Sequence, residues 1–137
     1  LRSESGGGFT TVDLLALDLM TGEAVLYKYG AAPSYLKQNG EVRRISCSTL
    51  PAGLESDVQN PDLTRLHLGR GAVLVMLSDG FFSTQDDRWI REVLERSSGQ
   101  NPRALAALLM VDSLQHGGEQ DDCTALVLSL SGGDTEV

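Results

Sequence analysis

The sequence predicts an α+β domain in which strands come first and two helices precede a closing strand. Three observations predict it. The first half carries short alternating or continuous apolar runs separated by Gly, Pro and Asn turn signals, as strands do. Residues 86–116 switch to the i, i+3, i+4 apolar spacing of helices, and residues 123–130 return to a strand pattern. At 137 residues the chain is one domain or a piece of one, because two independent cores would each be too small.

The elements follow in order. After the Ser5-Gly6-Gly7-Gly8 loop, Phe9 to Leu19 is rich in Thr, Val and Leu and reads as a buried strand. Met20-Thr21-Gly22 turns the chain into Glu23–Tyr29, where Ala24, Leu26 and Lys28 alternate with Val25, Tyr27 and Tyr29. Tyr35-Leu36-Lys37 leads to Asn39-Gly40, the strongest short hairpin signal, and Val42 to Ile45 follows. Leu50-Pro51-Ala52-Gly53-Leu54 is a break, and Asp57 to Asp62 reads as a polar loop. Leu63 to Leu68 alternates again. Gly69-Arg70-Gly71 then turns into Ala72–Leu77, an apolar run suited to a central strand covered on both faces.

Asp86 or Asp87 caps a first helix with Ile90, Val93 and Leu94 on its buried face, and Gly99 ends it. Asn101-Pro102 is a cap followed by proline at the first helical position. Leu105, Leu108 and Leu109 mark the buried face of this second helix, which Gly117-Gly118 stops. Cys123 to Leu130 closes the fold, leaving 132–137 as a polar tail. No internal repeat is visible.

Composition narrows the function. A hydrophobic fraction of 41% and a charged fraction of 22% are those of a globular protein. No apolar run approaches the roughly 20 residues of a membrane span, and Leu1-Arg2-Ser3-Glu4-Ser5 does not open a signal peptide. The net charge of −8 leaves no basic stripe for nucleic acid. Arg43-Arg44 reads as the solvated face of a strand. Cys47 and Cys123 lie far apart without a metal-ligand spacing. They read as buried structural thiols, consistent with a reducing cytoplasm.

The chemistry sits at two strand ends. Asp79 directly follows the long apolar run, and Asp121-Asp122 directly precedes the last strand. Carboxylates at the rim of a buried sheet are rigid yet reach water, as a hard cation such as Mg²⁺ or Mn²⁺ requires. Ser-Asp-Gly is also an ordinary turn, and an Asp pair is also an ordinary solvated boundary. On residue pattern alone both readings stand.

The segment Val73-Leu74-Val75-Met76-Leu77-Ser78-Asp79-Gly80 resembles the strand and Ser-Asp-Gly motif of the PPM family of metal-dependent protein phosphatases. Asp121-Asp122-Cys123-Thr124-Ala125-Leu126-Val127 resembles that family's closing motif, with a two-helix insert between the two as the family has. More narrowly, Thr11-Val12-Asp13-Leu14, Gly30-Ala31-Ala32-Pro33-Ser34-Tyr35 and Ser48-Thr49-Leu50-Pro51-Ala52-Gly53-Leu54 are similar to the stage II sporulation protein E branch. The resemblance covers about residues 1–131.

It implies part of a β-sandwich flanked by helices in α-β-β-α layers, with a two-metal Mn²⁺ or Mg²⁺ centre whose water attacks a phosphoserine or phosphothreonine. Carried over by position, Asp79 and Asp121 are metal ligands and catalytic residues. Gly80 allows the turn that aims Asp79, and Asp122 orients the site. Ser78 and Thr124 hydrogen-bond behind it or simply pack the strand ends. The family's bridging Asp-Gly has no counterpart in residues 1–70, since Asp13 and Asp18 fall where the family holds no metal. The chain is therefore expected to be the C-terminal part of the domain, with weak metal binding and little activity alone.

The resemblance also implies a phosphorylated anti-sigma factor antagonist as substrate and a parent with membrane segments outside this chain, and it leaves a homodimer open. A regulatory or protein-interaction module built on the two helices is the alternative. Trp89 and Phe81-Phe82 belong to a substrate or switch surface or, by the commoner pattern, to the core. His67 and His116 have no carboxylate or cysteine partner at ligand spacing and read as surface residues.

Overall fold

The computed structural model describes residues 8, 10–49, 60–82, 86–98, 101–116 and 122–131. Ser5-Gly6-Gly7 of the first loop, Phe9, the expected break at 50–54, residues 57–59 of the 57–62 loop, the helix stops at Gly99 and Gly117-Gly118, Asp121 and the 132–137 tail lie outside them. The described elements run β1 (Val12–Leu17), β2 (Glu23–Tyr29), β3 (Ser34–Gln38), β4 (Glu41–Ile45), β5 (Asp62–His67), β6 (Val73–Leu77), a 3-10 turn (Asp79–Phe82), α1 (Arg88–Arg96), α2 (Pro102–His116) and β7 (Ala125–Ser129). The chain divides into two compact units, Leu1–Ala31 with Ser46–His67 and Ala32–Ile45 with Leu68–Val137. None of the helices among the described residues is long and apolar enough to cross a membrane.

The first unit holds an antiparallel sheet in the order β1-β2-β5. Strand β2 is central, and its alternation is realised with Ala24, Leu26 and Lys28 on a buried face. The expected buried strand at Phe9–Leu19 is shorter and wetter. It spans Val12–Leu17 as an edge strand, with Leu14 56% exposed. Among the described residues its one ladder neighbour is β2, and rank in the sheet is something that sequence alternation alone does not reveal.

Buried Lys28 stands opposite Asp13 in the ladder and donates to its carboxylate at 2.9 Å. That pairing offsets much of the cost of taking an ammonium out of water. Asp62, expected to end a loop, instead opens β5. Its carboxylate accepts the Ser48 and Thr49 backbone N–H groups, and the Ser48 bond first of all holds it below the usual carboxylate range.

The second unit holds the sheet β4-β3-β6-β7, entirely antiparallel. The Asn39-Gly40 signal is borne out. Both residues have positive φ, 55° and 79°, as a tight hairpin with the native twist requires. Strand β6 lies between two neighbours with Val73, Leu74, Val75 and Leu77 buried, as its unbroken apolar run predicts.

Tyr35, Val73, Val75 and Leu77 form one face of this sheet with half-buried Ala125 and Val127. Trp89, Ile90, Val93 and Leu94 of α1 and Leu105 and Leu109 of α2 complete its core. Leu108 is a correction: it is 45% exposed, and Ser113 takes the third buried place on α2. Residues 105, 109 and 113 repeat every fourth position along one side, whereas 108 falls a quarter-turn away.

Two polar devices seat α1. Asp87 occupies the N-cap position without a side-chain cap bond, while Asp86 accepts the Arg88 N–H at 3.0 Å. The Arg88 guanidinium beside it pulls the Asp86 carboxyl down to about 2. At the other end Lys37 of β3 donates to Leu94 O at 2.7 Å, Glu95 O at 3.2 Å and Ser97 O. A cation there satisfies the orphan carbonyls and complements the helix dipole. Helix α2 starts as expected, with Asn101 Oδ1 accepting the Ala104 N–H at 3.0 Å and Pro102 in the first turn.

Candidate metal centre

The candidate centre is built where β6 and β7 end side by side. The last ladder pair is Leu77 with Ala125. One position on, Ser78 N–H donates to Thr124 O at 3.0 Å, so the pairing continues for half a rung. The returning bond cannot form in the ordinary way. The Ser78 carbonyl already accepts Phe81 N–H at 3.2 Å, because the chain has turned into the 3-10 segment. The Ser78 hydroxyl takes its place and accepts Thr124 N–H at 2.8 Å. Ser78 is therefore a latch between two strand ends, and Thr124 takes part through its backbone.

Gly80 is the second point of contact. A Cβ there would stand 2.3 Å from Asp122 O, 2.9 Å from Cys123 Sγ and 3.0 Å from Asp122 C. These separations are far inside van der Waals contact, so only a residue without a side chain lets the two segments meet. Among the described residues the glycines with positive φ are Gly22, Gly30, Gly40 and Gly71, so Gly80 serves here through close approach rather than through a left-handed backbone.

This contact leaves the Asp79 and Asp122 side chains exposed at the rim, while Phe81 beneath them is 2% exposed and anchors the turn. Asp121, the covalent neighbour of Asp122, lies outside the described residues. Carboxylate oxygens on a rigid rim suit a hard divalent cation. The set is partial, however: among the described residues no group of three or more His, Cys, Asp or Glu could hold a metal ion.

The other singled-out residues sort as follows. Trp89 and Phe81 are buried and Phe82 is half-buried against the core of the second unit. His116 is exposed but stacks on Trp89, with ring centroids 5.2 Å apart and planes 4° apart. His67 is exposed as expected and pairs across the ladder with Glu23 at 2.8 Å. Cys47 and Cys123 are in no disulfide and are half-buried, not buried.

Arg43 is solvated, whereas Arg44 donates to Asp87 at 3.0 Å. No periodicity or motif announces this Asp87 node, which also accepts Tyr35 Oη–H at 2.7 Å and lies 3.4 Å from Arg91 Nε. Burial first, and the Asp87 hydrogen bond second, push the Tyr35 phenol well above its ordinary value. Burial alone would raise the Asp87 carboxyl, but Tyr35 and the two guanidinium groups outweigh it and hold it low.

Two antiparallel sheets with two helices between the last strands are the fold of PP2C-type phosphatase domains. The chain matches the phosphatase domain of SpoIIE from Bacillus subtilis, from a manganese-presoaked crystal, with a TM-score of 0.75 and 26% identity. That match covers 92% of this chain and 58% of the other. It also matches the catalytic domain of the serine/threonine phosphatase PstP in complex with two manganese ions, with a TM-score of 0.67 over 85% of this chain and 57% of that one. At 18% identity the second likeness bears on the fold alone.

In sequence, the chain is 29% identical over 131 residues to Stage II sporulation protein E of Bacillus subtilis (strain 168), covering 89% of this chain and 16% of the relative. The model of the family Stage II sporulation protein E (SpoIIE) matches residues 1–131, and the chain belongs to that family. It spans about a sixth of that curated relative and under two thirds of the matched phosphatase domain.

Proposed function

We propose that this chain supplies one side of the two-metal centre of a protein serine/threonine phosphatase, with Asp79 and Asp121 as its metal ligands. The observation that carries the reading is the Gly80–Asp122 approach. A gap too small for a Cβ, closed by the Ser78 latch, joins the two segments in which the family resemblance places its metal carboxylates. When bound, Mn²⁺ or Mg²⁺ would supply a water of lowered pKa and neutralise phosphoryl charge. The chain's own residues hold the rim: Gly80 permits the contact, Ser78 fixes it, Asp122 adds negative potential beside Asp79, and Phe81 ties the turn to the core.

Two carboxylates hold a pair of divalent cations weakly. We infer that a further Asp-Gly, from a segment beyond these 137 residues, completes the centre. The substrate proposed from family membership is a serine-phosphorylated regulatory protein of the anti-sigma factor antagonist type, met in the cytoplasm.

The test is release of phosphate from a phosphoserine protein with Mn²⁺, comparing this chain with the phosphatase domain of its parent. The proposal expects robust Mn²⁺-dependent turnover from the domain and at least about a hundredfold less from the 137 residues. Equal turnover would overturn the shared-centre reading, and none from either would overturn the phosphatase reading.

A further inference from the structure

Asp87 stands at the N-cap of α1, and its backbone carbonyl opens the helix by accepting the Ile90 and Arg91 N–H groups at 3.0 and 3.2 Å. Aspartate is favoured at that position because its side chain can cap an unpaired N–H. The Asp87 side chain makes no such bond. One of its oxygens, Oδ2, instead gathers donors from three elements: Tyr35 Oη of β3 at 2.7 Å, Arg44 Nη1 of β4 at 3.0 Å and Arg91 Nε of α1 at 3.4 Å. The Arg91 guanidinium also lies over the Tyr35 ring, 6.0 Å from its centroid. A side chain placed to cap the helix is thus turned to the sheet.

Asp79 lies between this tie and the Ser78 latch. The chain leaves β6 at Ser78, whose N–H and hydroxyl hold Thr124 beside β7. It is fixed again at Asp87, to β3 and β4. All four strands belong to one sheet, in which Tyr35 pairs with Val75 of β6. Phe81, in the same 3-10 turn as Asp79, belongs to the buried cluster that also holds Tyr35, Trp89 and Ile90. Close-packed side chains transmit displacement, so a shift at the start of α1 reaches the packing beneath Asp79.

We propose that Asp87 is a positioning residue of the metal rim, a role that rests on the metal-centre reading. With Tyr35 and Arg44 it fixes the start of α1 against the sheet and thereby sets the place of the turn that bears Asp79. It acts through α1 and Phe81, not as a ligand.

Two mild substitutions loosen the node from different sides. Tyr35→Phe removes one hydroxyl and keeps the buried ring. Asp87→Asn keeps an acceptor oxygen but removes the charge that strengthens the bonds from both guanidinium groups. Asn101→Ala is the control: it removes the α2 cap in the same unit, outside the node.

Calorimetric titration of Mn²⁺ into the parent phosphatase domain, with folding checked by circular dichroism, tests the role. Tyr35→Phe and Asp87→Asn are each expected to bind Mn²⁺ about three- to tenfold more weakly than the wild type, and Asn101→Ala to match the wild type. A second readout needs no metal. In the 137-residue chain, Ser78 N–H donates to Thr124 O and Phe81 N–H to Ser78 O. Hydrogen exchange at both amides is expected to quicken at least about threefold more in each node variant than in Asn101→Ala. Equal weakening of Mn²⁺ binding in Asn101→Ala would make the effect one of general stability and overturn the proposal. So would wild-type Mn²⁺ affinity, or exchange no faster than in the control, in either node variant. If Asp79→Ala binds Mn²⁺ as the wild type does, the metal-centre reading falls and the proposal with it. Loss of binding in Asp79→Ala with none in the node variants overturns the positioning role alone.

Discussion

Replacing Gly80 with alanine introduces a methyl carbon 2.3 Å from the Asp122 carbonyl oxygen. A carbon and an oxygen rest about 3.3 Å apart, so one segment must retreat by roughly 1 Å. Neither can do so freely. The obstructing atoms are backbone, and the Ser78–Thr124 hydrogen bonds of 3.0 and 2.8 Å hold the two ends together. Overpacking costs about 1–3 kcal/mol. Stretching or losing the two hydrogen bonds adds roughly 1 kcal/mol each. An overall loss of about 3–5 kcal/mol follows, a large share of the stability of a small domain.

Urea unfolding followed by Trp89 fluorescence measures it, since Trp89 is the sole tryptophan and is buried in the core that β6 helps to build. Gly69→Ala is the control. Its Cβ would meet only Gln38 Oε1, at 3.7 Å, and should cost less than about 0.5 kcal/mol. If Gly80→Ala matched that control, the close approach of the strand ends would be wrong.

Asp87→Ala removes the acceptor of the buried Tyr35 hydroxyl and of Arg44, at an expected cost of about 2–4 kcal/mol. Tyr35→Phe should cost about 1 kcal/mol and be strongly non-additive with it, as a double-mutant cycle in urea would show. Because the folded Asp87 carboxyl lies below its unfolded value, this stabilisation is complete above about pH 4 and fades as pH falls through the lowered folded value. A wild-type minus Asp87→Ala stability difference that stayed flat through that range would contradict it. Asn101→Ala deletes the α2 cap and should lower stability by about 1 kcal/mol in the same assay, with Asn101→Asp nearly neutral.

Much of the fold is legible because its signals are local. Asn39-Gly40 demands a tight hairpin, Ala72–Leu77 a covered strand, and Asn101-Pro102 a helix start, whatever surrounds them. The misses have physical causes too. The composition of β1 predicts a buried strand because it reports hydrophobicity but not rank in the sheet, and among the described residues β1 lies at an edge. The i, i+3, i+4 spacing puts Leu108 inward because a helix apolar all round has no polar face to fix its rotation.

The Asp79 and Asp122 ends were legible as neighbours only through family resemblance, since their meeting depends on the 77–125 register. The small residues that make the contact work, Ser78 by its hydroxyl and Gly80 by its missing Cβ, are silent in periodicity. The Asp87 node joins residues more than forty positions apart. Nothing short-range announces it.

The central claim is that Asp79 and Asp121 are this chain's share of a divalent-metal centre. Calorimetric titration of Mn²⁺ into the parent phosphatase domain, wild type against Asp79→Ala and Asp121→Ala, tests it most directly. The account predicts that each variant, folded by circular dichroism, binds Mn²⁺ at least about a hundredfold more weakly. Wild-type Mn²⁺ affinity in either variant would contradict it.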